Sequence, residues 1–230
     1  MKKPFISVVI PALNEAKTIQ QCLKNIEQQR FDGVEVIVVD NGSTDQTAQL
    51  SRKFDCKVIH EYKRGVSAAR QAGFLHAQGD VIASTDADTL IGPDWLGQIA
   101  AEFLYDPELV GLYGPVHLQG FKKVVGKQAI EKAFAQFLKI NQQLKRPHFC
   151  GANFAVRRGV FLKTGGFRHQ HQIFYQKAED VQLSLKLKKL GKIRFQKDLV
   201  VFTSPRRLNG RYFFNNTKTY CKVVWLKQTC

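Results

Sequence analysis

Short Val- and Ile-rich runs alternate with amphipathic segments through the first 110 residues, and no other feature limits the fold as much. Ile6-Ser7-Val8-Val9-Ile10 leads into a helical pattern from about Thr18 to Gln29, followed by Val34-Glu35-Val36-Ile37-Val38-Val39-Asp40. A helix from about Asp45 to Phe54 precedes Lys57-Val58-Ile59-His60. Another from about Val66 to Ala77 precedes a strand over Asp80 to Thr85. Near-continuous β-branched runs mark strands covered on both faces, and intervening helices supply the cover. The pattern predicts a doubly wound α/β fold with a mostly parallel sheet and helices on both faces.

The second half is less regular. Pro93 to Leu104 reads as a helix, Val110 to His117 as a strand and Lys127 to Lys145 as a long helix. A strand follows around Cys150 to Val156, then a helix starting near Arg157, a loop through Gly165-Gly166, a helix from Glu179 to Leu190 and a strand from Asp198 to Thr203. With 230 residues, 44% of them hydrophobic, the chain can bury one full core. No run approaches the roughly 18 to 20 apolar residues of a spanning helix. Phe5 to Leu13 lacks a small-residue cleavage site and reads as a buried strand rather than a signal peptide. Five scattered cysteines without a Cys-x-x-Cys pair fit reduced thiols and a cytoplasmic chain, and no zinc spacing is present.

Net charge is +16, unevenly distributed. Through Val110 there are 11 Lys and Arg against 15 Asp and Glu, a balance of −4; from Gly111 onward the count is 24 against 4, or +20. Such asymmetry points to a polyanionic partner: nucleic acid, an anionic bilayer or a phosphorylated acceptor. The last stretch interleaves aromatics with lysines, and Phe213, Thr217, Tyr220 and Val224 share one face at helical spacing. That pattern suits a helix lying on anionic lipid, though packing onto the core is the commoner fate.

Three predicted strand ends meet on one sheet edge: Pro11-Ala12-Leu13-Asn14-Glu15, Asp40-Asn41-Gly42-Ser43-Thr44-Asp45 and Asp86-Ala87-Asp88. Open parallel sheets bind ligands beyond the carboxyl ends of their strands. Residues two apart in a strand face the same way, so Asp86 and Asp88 are expected side by side, able to hold a divalent metal against a diphosphate. Asp40 and Asn41 can hydrogen-bond a nucleobase edge or a ribose. Gly42 allows a tight turn, and Ser43 or Thr44 is expected to cap the next helix. There is no G-x-G-x-x-G or Walker lysine, so the metal is the expected holder of phosphate. Paired arginines in Thr203-Ser204-Pro205-Arg206-Arg207 could close over a diphosphate. Arg64 and Arg70 are secondary candidates, and Arg70, on a helix, can equally make a structural ion pair.

Seven segments together resemble the family 2 glycosyltransferases of GT-A fold. They are Ser7 to Glu15, Val38 to Asp45, Gly65-Val66-Ser67-Ala68-Ala69-Arg70, Asp86-Ala87-Asp88, Gly151 to Arg158, Gly165-Gly166-Phe167 and Glu179-Asp180-Val181-Gln182-Leu183. They stand in family order. The resemblance spans roughly residues 5 to 205 and implies sugar transfer from a nucleotide donor with inversion. It divides a single domain, 1–205, into a nucleotide-binding half over about 1–110 and an acceptor half over about 111–205. Residues 206–230 form a basic aromatic segment.

Carried over, the resemblance makes Pro11, Ala12, Leu13, Glu15, Asp40 and Asn41 base and ribose contacts. Arg70, Asp86, Ala87, Arg206 and Arg207 join them around the donor. Asp86 and Asp88 become ligands of manganese or magnesium. Asn41 stands where the family often has a second Asp, and Leu13 where it has an aromatic, so the base is open between uridine, guanosine and thymidine. In the acidic pair Glu179-Asp180, Asp180 is implied as general base. The alternative is that both acids serve the positive end of their helix. The basic half and the C-terminal segment, not the resemblance, point to an acceptor hydroxyl that is lipid-linked or on an envelope glycan, at the inner face of a membrane. Nucleotidyl transfer fits less well, because the first strand opens into Pro11-Ala12-Leu13-Asn14-Glu15 and not a glycine-rich loop. A non-catalytic polyanion binder would not need both acidic pairs, and nucleic acid is the less expected partner.

Overall fold

The computed structural model describes residues 4–119, 147–167 and 179–207. A seven-stranded sheet forms its centre. β1 (Ile6–Ala12), β2 (Val34–Asp40), β3 (Lys57–His60) and β4 (Val81–Ser84) run parallel in the order β3-β2-β1-β4. β8 (Phe154–Arg157) then lies antiparallel to both β4 and β6 (Leu109–Tyr113), and β9 (Lys192–Phe195) closes the edge parallel to β6. The doubly wound α/β expectation therefore holds, with one reversed strand inside the sheet.

Successive strand side chains enter opposite cores. Val8, Ile10 and Val38 face a layer containing α1 (Ile19–Glu27) and α4 (Trp95–Tyr105), to which Ile19, Leu23, Trp95, Ile99 and Phe103 contribute. Val9, Ile37 and Val39 face the other layer, formed by α3 (Val66–His76), α5 (Arg158–Lys163) and α6 (Glu179–Lys188). Ile19, Cys22, Leu23 and Ile26 recur at helical spacing, so α1 buries one stripe. α3 approaches the sheet more closely because Gly73 lies on it. A Cβ there would stand 2.3 Å from Val9 Cγ1.

The second half corrects several expectations. The single strand expected over 110–117 is two, β6 and β7 (Val116–Leu118), in different sheets. Gly114 and Pro115 cause the break: a Cβ on Gly114 would lie 2.0 Å from the Leu199 carbonyl oxygen, and Pro115 has no N–H for a ladder. β7 joins β5 (Thr89–Ile91) and β10 (Val201–Thr203) in a small sheet of order β5-β10-β7. β5, at three residues, is too short to be read from the sequence, and in β9 two of four residues are basic. The helix expected over 45–54 is the short α2 (Thr47–Ser51). The expected helix over 127–145, residues 208–230 and the side chain of Arg207 lie outside the described residues. Among the described residues no helix is long and apolar enough to cross a membrane.

Candidate active site

The parallel register places Ala12 opposite Asp40, so β1 and β2 end together, and the Asn41 N–H donates to the Ala12 carbonyl at 2.9 Å. Pro11 is half-buried and Ala12 buried at the end of β1, with half-buried Leu13 next in the chain. Asn14 follows in the left-handed conformation, φ 56°, and ties the two loops. Its N–H donates to Ser43 Oγ at 3.0 Å, and its Oδ1 accepts the Thr44 N–H at 2.8 Å. Ser43 and Thr44 therefore do not cap α2. The Thr47 N–H is taken by Asp45 Oδ1 instead, at 3.0 Å.

Asp40 accepts the Ser43 N–H on Oδ1 at 3.2 Å, and its Oδ2 lies 3.1 Å from His60 Nδ1. Arg52 Nη2 lies 3.0 Å from the other His60 nitrogen, so the imidazole bridges a guanidinium and Asp40. The Asn41 amide is engaged by the backbone of residues 61–65. Its Nδ2 donates to the carbonyls of Glu61 and Lys63, both at 2.8 Å, and its Oδ1 accepts the Gly65 N–H at 2.8 Å. Asn41 thus shapes the loop that carries Arg64 across Gly42, whose φ is 80°. Arg64 Nη1 donates to the Asn41 carbonyl at 3.1 Å.

Asp86 and Asp88 do sit together, but not by strand alternation. β4 ends at Ser84, and a turn closed by the Thr89 N–H to the Asp86 carbonyl, 3.0 Å, holds both. Ala87 between them is buried in the core. Asp88 Oδ2 accepts from Arg206 Nε at 3.2 Å, and the same guanidinium reaches Glu15 Oε2 through Nη2. The 3-10 turn Pro205–Arg207 thereby docks onto the first strand end. Burial raises the Asp88 pKa, the negative charges of Asp86 and Glu15 add to this, and Arg206 opposes it.

Across from Asp88 lies a second cluster. Arg70, only 4% exposed, donates from Nη2 to Asp86 Oδ1 at 2.7 Å and from Nη1 to Glu179 Oε1. Burial works against the Arg70 charge, and Asp86, Glu179 and Asp180 more than offset it. Asp180 opens α6 beside Glu179. Its Oδ2 accepts the Gly151 N–H and its Oδ1 the Val181 N–H, each at 2.8 Å. The pKa values of Glu179 and Asp180 are both raised, chiefly by burial, with Arg70 pulling the other way.

Five carboxylates (Glu15, Asp86, Asp88, Glu179 and Asp180) thus face two guanidiniums, which leaves an excess of negative charge. Hard carboxylate oxygens with too little neutralising charge suit Mg2+ or Mn2+. The oxygens of Asp86 and Asp88 fit a divalent ion, which these two residues would hold. Among the described residues no three His, Cys, Asp or Glu side chains converge to cage a metal alone. A metal that dehydrates reluctantly and is shared with substrate phosphate needs no such cage.

The structure therefore brings Glu15, Asp86, Asp88, Arg70, Glu179, Asp180 and Arg206 to one edge, with Asp40 and Asn41 beside them. Sequence reasoning missed His60, which orients Asp40, and Gly151, which holds Asp180. Gly151 stood in a motif without a role of its own, and His60 ended a predicted strand opposite Asp40, a placement only the register reveals.

Residues 7–165 match the family model described as Glycosyl transferase family 2. Glycosyltransferase AglE of Haloferax volcanii is 38% identical over 101 residues, covering 40% of this chain and 33% of the relative. The chain spans at most about half the length of the first curated relatives it matches. Among solved structures, mannosyltransferase PcManGT of Pyrobaculum calidifontis, in complex with GDP-Man and Mn2+, superposes with a TM-score of 0.77 at 23% identity. That match covers 97% of this chain and 65% of the other. Staphylococcus aureus TarS 1–349 with UDP-GlcNAc gives 0.70 at 21% identity, covering 89% and 59%. The fold is that of the GT-A glycosyltransferases, and the chain belongs to glycosyl transferase family 2.

Proposed function

We propose that the protein is a metal-dependent inverting glycosyltransferase that moves a sugar from a nucleotide-sugar to an acceptor hydroxyl. The carrying observation is the pair of carboxylate clusters on either side of Arg70: Asp86 and Asp88 toward the strand ends, Glu179 and Asp180 at the start of α6. A bound divalent ion would neutralise the diphosphate and the charge that develops on it as it leaves. Asp86 and Asp88 would hold that ion. Arg206, paired with Glu15 and Asp88, would turn toward the phosphates when the donor binds. Asp180 takes the proton from the acceptor hydroxyl, whose oxygen bonds to the anomeric carbon as the bond to the diphosphate oxygen breaks toward the nucleotide. PcManGT with GDP-Man and TarS with UDP-GlcNAc make guanosine and uridine donors the first to try. The acceptor is a hydroxyl on a lipid-linked or envelope glycan, presented at an anionic membrane surface on the cytoplasmic side.

A panel of nucleotide-sugars with and without Mn2+ tests this, read as thermal stabilisation and as release of nucleoside diphosphate. One donor should stabilise the protein only with metal and be turned over, and Asp88→Ala should lose the metal-dependent part. Binding that is equally tight with chelator, in wild type and variant alike, would refute the metal clamp.

A further inference from the structure

We infer that Arg70 is a positioning residue: one guanidinium holds the donor-side Asp86 and the base-side Glu179–Asp180 pair at a fixed separation, lying on Gly151 as its platform. Its catalytic consequence rests on the proposed sugar transfer; its geometry does not.

Arg70 is not placed to meet a donor directly. It is 4% exposed, and both Nη atoms are engaged by carboxylates of the protein itself. Nε is buried without a hydrogen-bond partner among the described residues. An orphaned buried donor is unfavourable, and burying ions in a cluster is a weak route to stability. A planar fork does supply a fixed spacing between two carboxylates on different elements, which a lysine ammonium cannot. The two partners are far apart in the chain: Asp86 follows β4, while Glu179 begins α6.

Gly151 makes the arrangement possible. A Cβ there would stand 2.0 Å from Arg70 Nη2 and 2.4 Å from Cζ, so the guanidinium lies directly against the glycine backbone. The N–H of the same residue holds Asp180 Oδ2, and its carbonyl accepts Ser84 Oγ–H at 2.8 Å, which anchors it to the end of β4. Asp86, Arg70, Gly151 and Asp180 thus form one continuous path from donor side to base side. In-line displacement needs the base and the departing diphosphate on opposite faces of one carbon, and a displacement of about 1 Å can lower the rate by about 100-fold.

The test compares wild type with Arg70→Lys, which keeps the charge and loses the fork, and with Gly151→Ala, which removes no functional group. In Arg70→Lys, kcat should fall about 100-fold while donor KM and the affinity for Mn2+ with UDP or GDP, for which Asp86 and Asp88 both remain, change by less than about tenfold. Gly151→Ala should reproduce that split; if it does not fold, Arg70→Lys carries the comparison. Nucleotide affinity falling in step with kcat would make Arg70 a donor contact and overturn the positioning role. A lower melting temperature with unchanged kcat would reduce it to a structural ion pair. Amide hydrogen exchange adds an arm that needs no turnover. The Gly151 N–H should exchange about tenfold faster in Arg70→Lys while α1 amides keep their protection, and equal exchange at Gly151 would overturn the inference. That arm stands even if wild type transfers no sugar, a result that would sink the glycosyltransferase reading alone.

Discussion

The proposed transfer depends most on a single side chain, that of Asp180. Two backbone N–H groups fix its oxygens, from Gly151 and Val181, so its orientation does not rely on a flexible partner. Burial raises its pKa and Arg70 limits the rise. A carboxyl whose pKa is higher in the folded than in the unfolded chain adds stability below its unfolded value. That contribution is lost as pH rises through the folded value. The ionised carboxylate is therefore the less comfortable form for the fold and the one that the proposed transfer needs. The rate should fall as pH drops through a value above the ordinary Asp pKa of about 3.9. Asp180→Asn should lower kcat by about 100-fold or more, remove that acid limb, and leave Mn2+-dependent nucleotide binding in place. A variant that keeps both turnover and the acid limb would exclude Asp180 as the base.

Among elements, the packing of β7, α4 and the chain entering β10 depends on Asn153. It is fully buried, accepts Trp95 Nε1–H on Oδ1 at 2.9 Å, and donates from Nδ2 to the carbonyls of Pro115 at 3.0 Å and Leu199 at 2.6 Å. Asn153→Asp keeps the shape and removes both donors, turning an anion toward two carbonyls. The expected loss is about 3 kcal/mol. At about 2–4 °C per kcal/mol for a chain of this size, the melting temperature should drop by roughly 6–12 °C. The gap should narrow at acid pH, where a protonated carboxyl donates one bond, and a shift under about 2 °C would contradict the role of this side chain. The contrast with β1 and β2 shows what the sequence displays. Their uninterrupted Val/Ile runs reveal a doubly covered strand in one reading. Asn153 and Gly114 act through Leu199, 46 residues beyond Asn153, a contact no local pattern records. The site divides the same way. Asp86-Ala87-Asp88 is visible as a motif although a turn, not a strand, presents it. The Arg70–Glu179 pair joins residues 109 apart and is visible only in the fold.

At the scale of the whole molecule, the charge asymmetry is the property that the site does not account for. Five carboxylates gather at this one edge, yet the chain carries +16, and its excess lies entirely beyond Val110. A negative centre on a basic chain suits the proposed small anionic donor, held through metal, and a larger anionic surface met elsewhere. Each Lys or Arg near an anionic bilayer contributes about 1 kcal/mol, and the effect fades within a Debye length of about 8 Å at physiological salt. The protein should therefore bind vesicles containing phosphatidylglycerol at low salt, ignore neutral phosphatidylcholine vesicles, and release as salt rises. Two sources of binding separate at high salt. Lysine attraction alone should vanish near 1 M salt, where the Debye length is about 3 Å, whereas inserted aromatic side chains should leave a residue of binding. Phe213→Ser with Tyr220→Ser should abolish that residue and spare the low-salt binding. If vesicles are ignored at every salt concentration while duplex DNA is bound, the basic half serves nucleic acid and the membrane assignment fails.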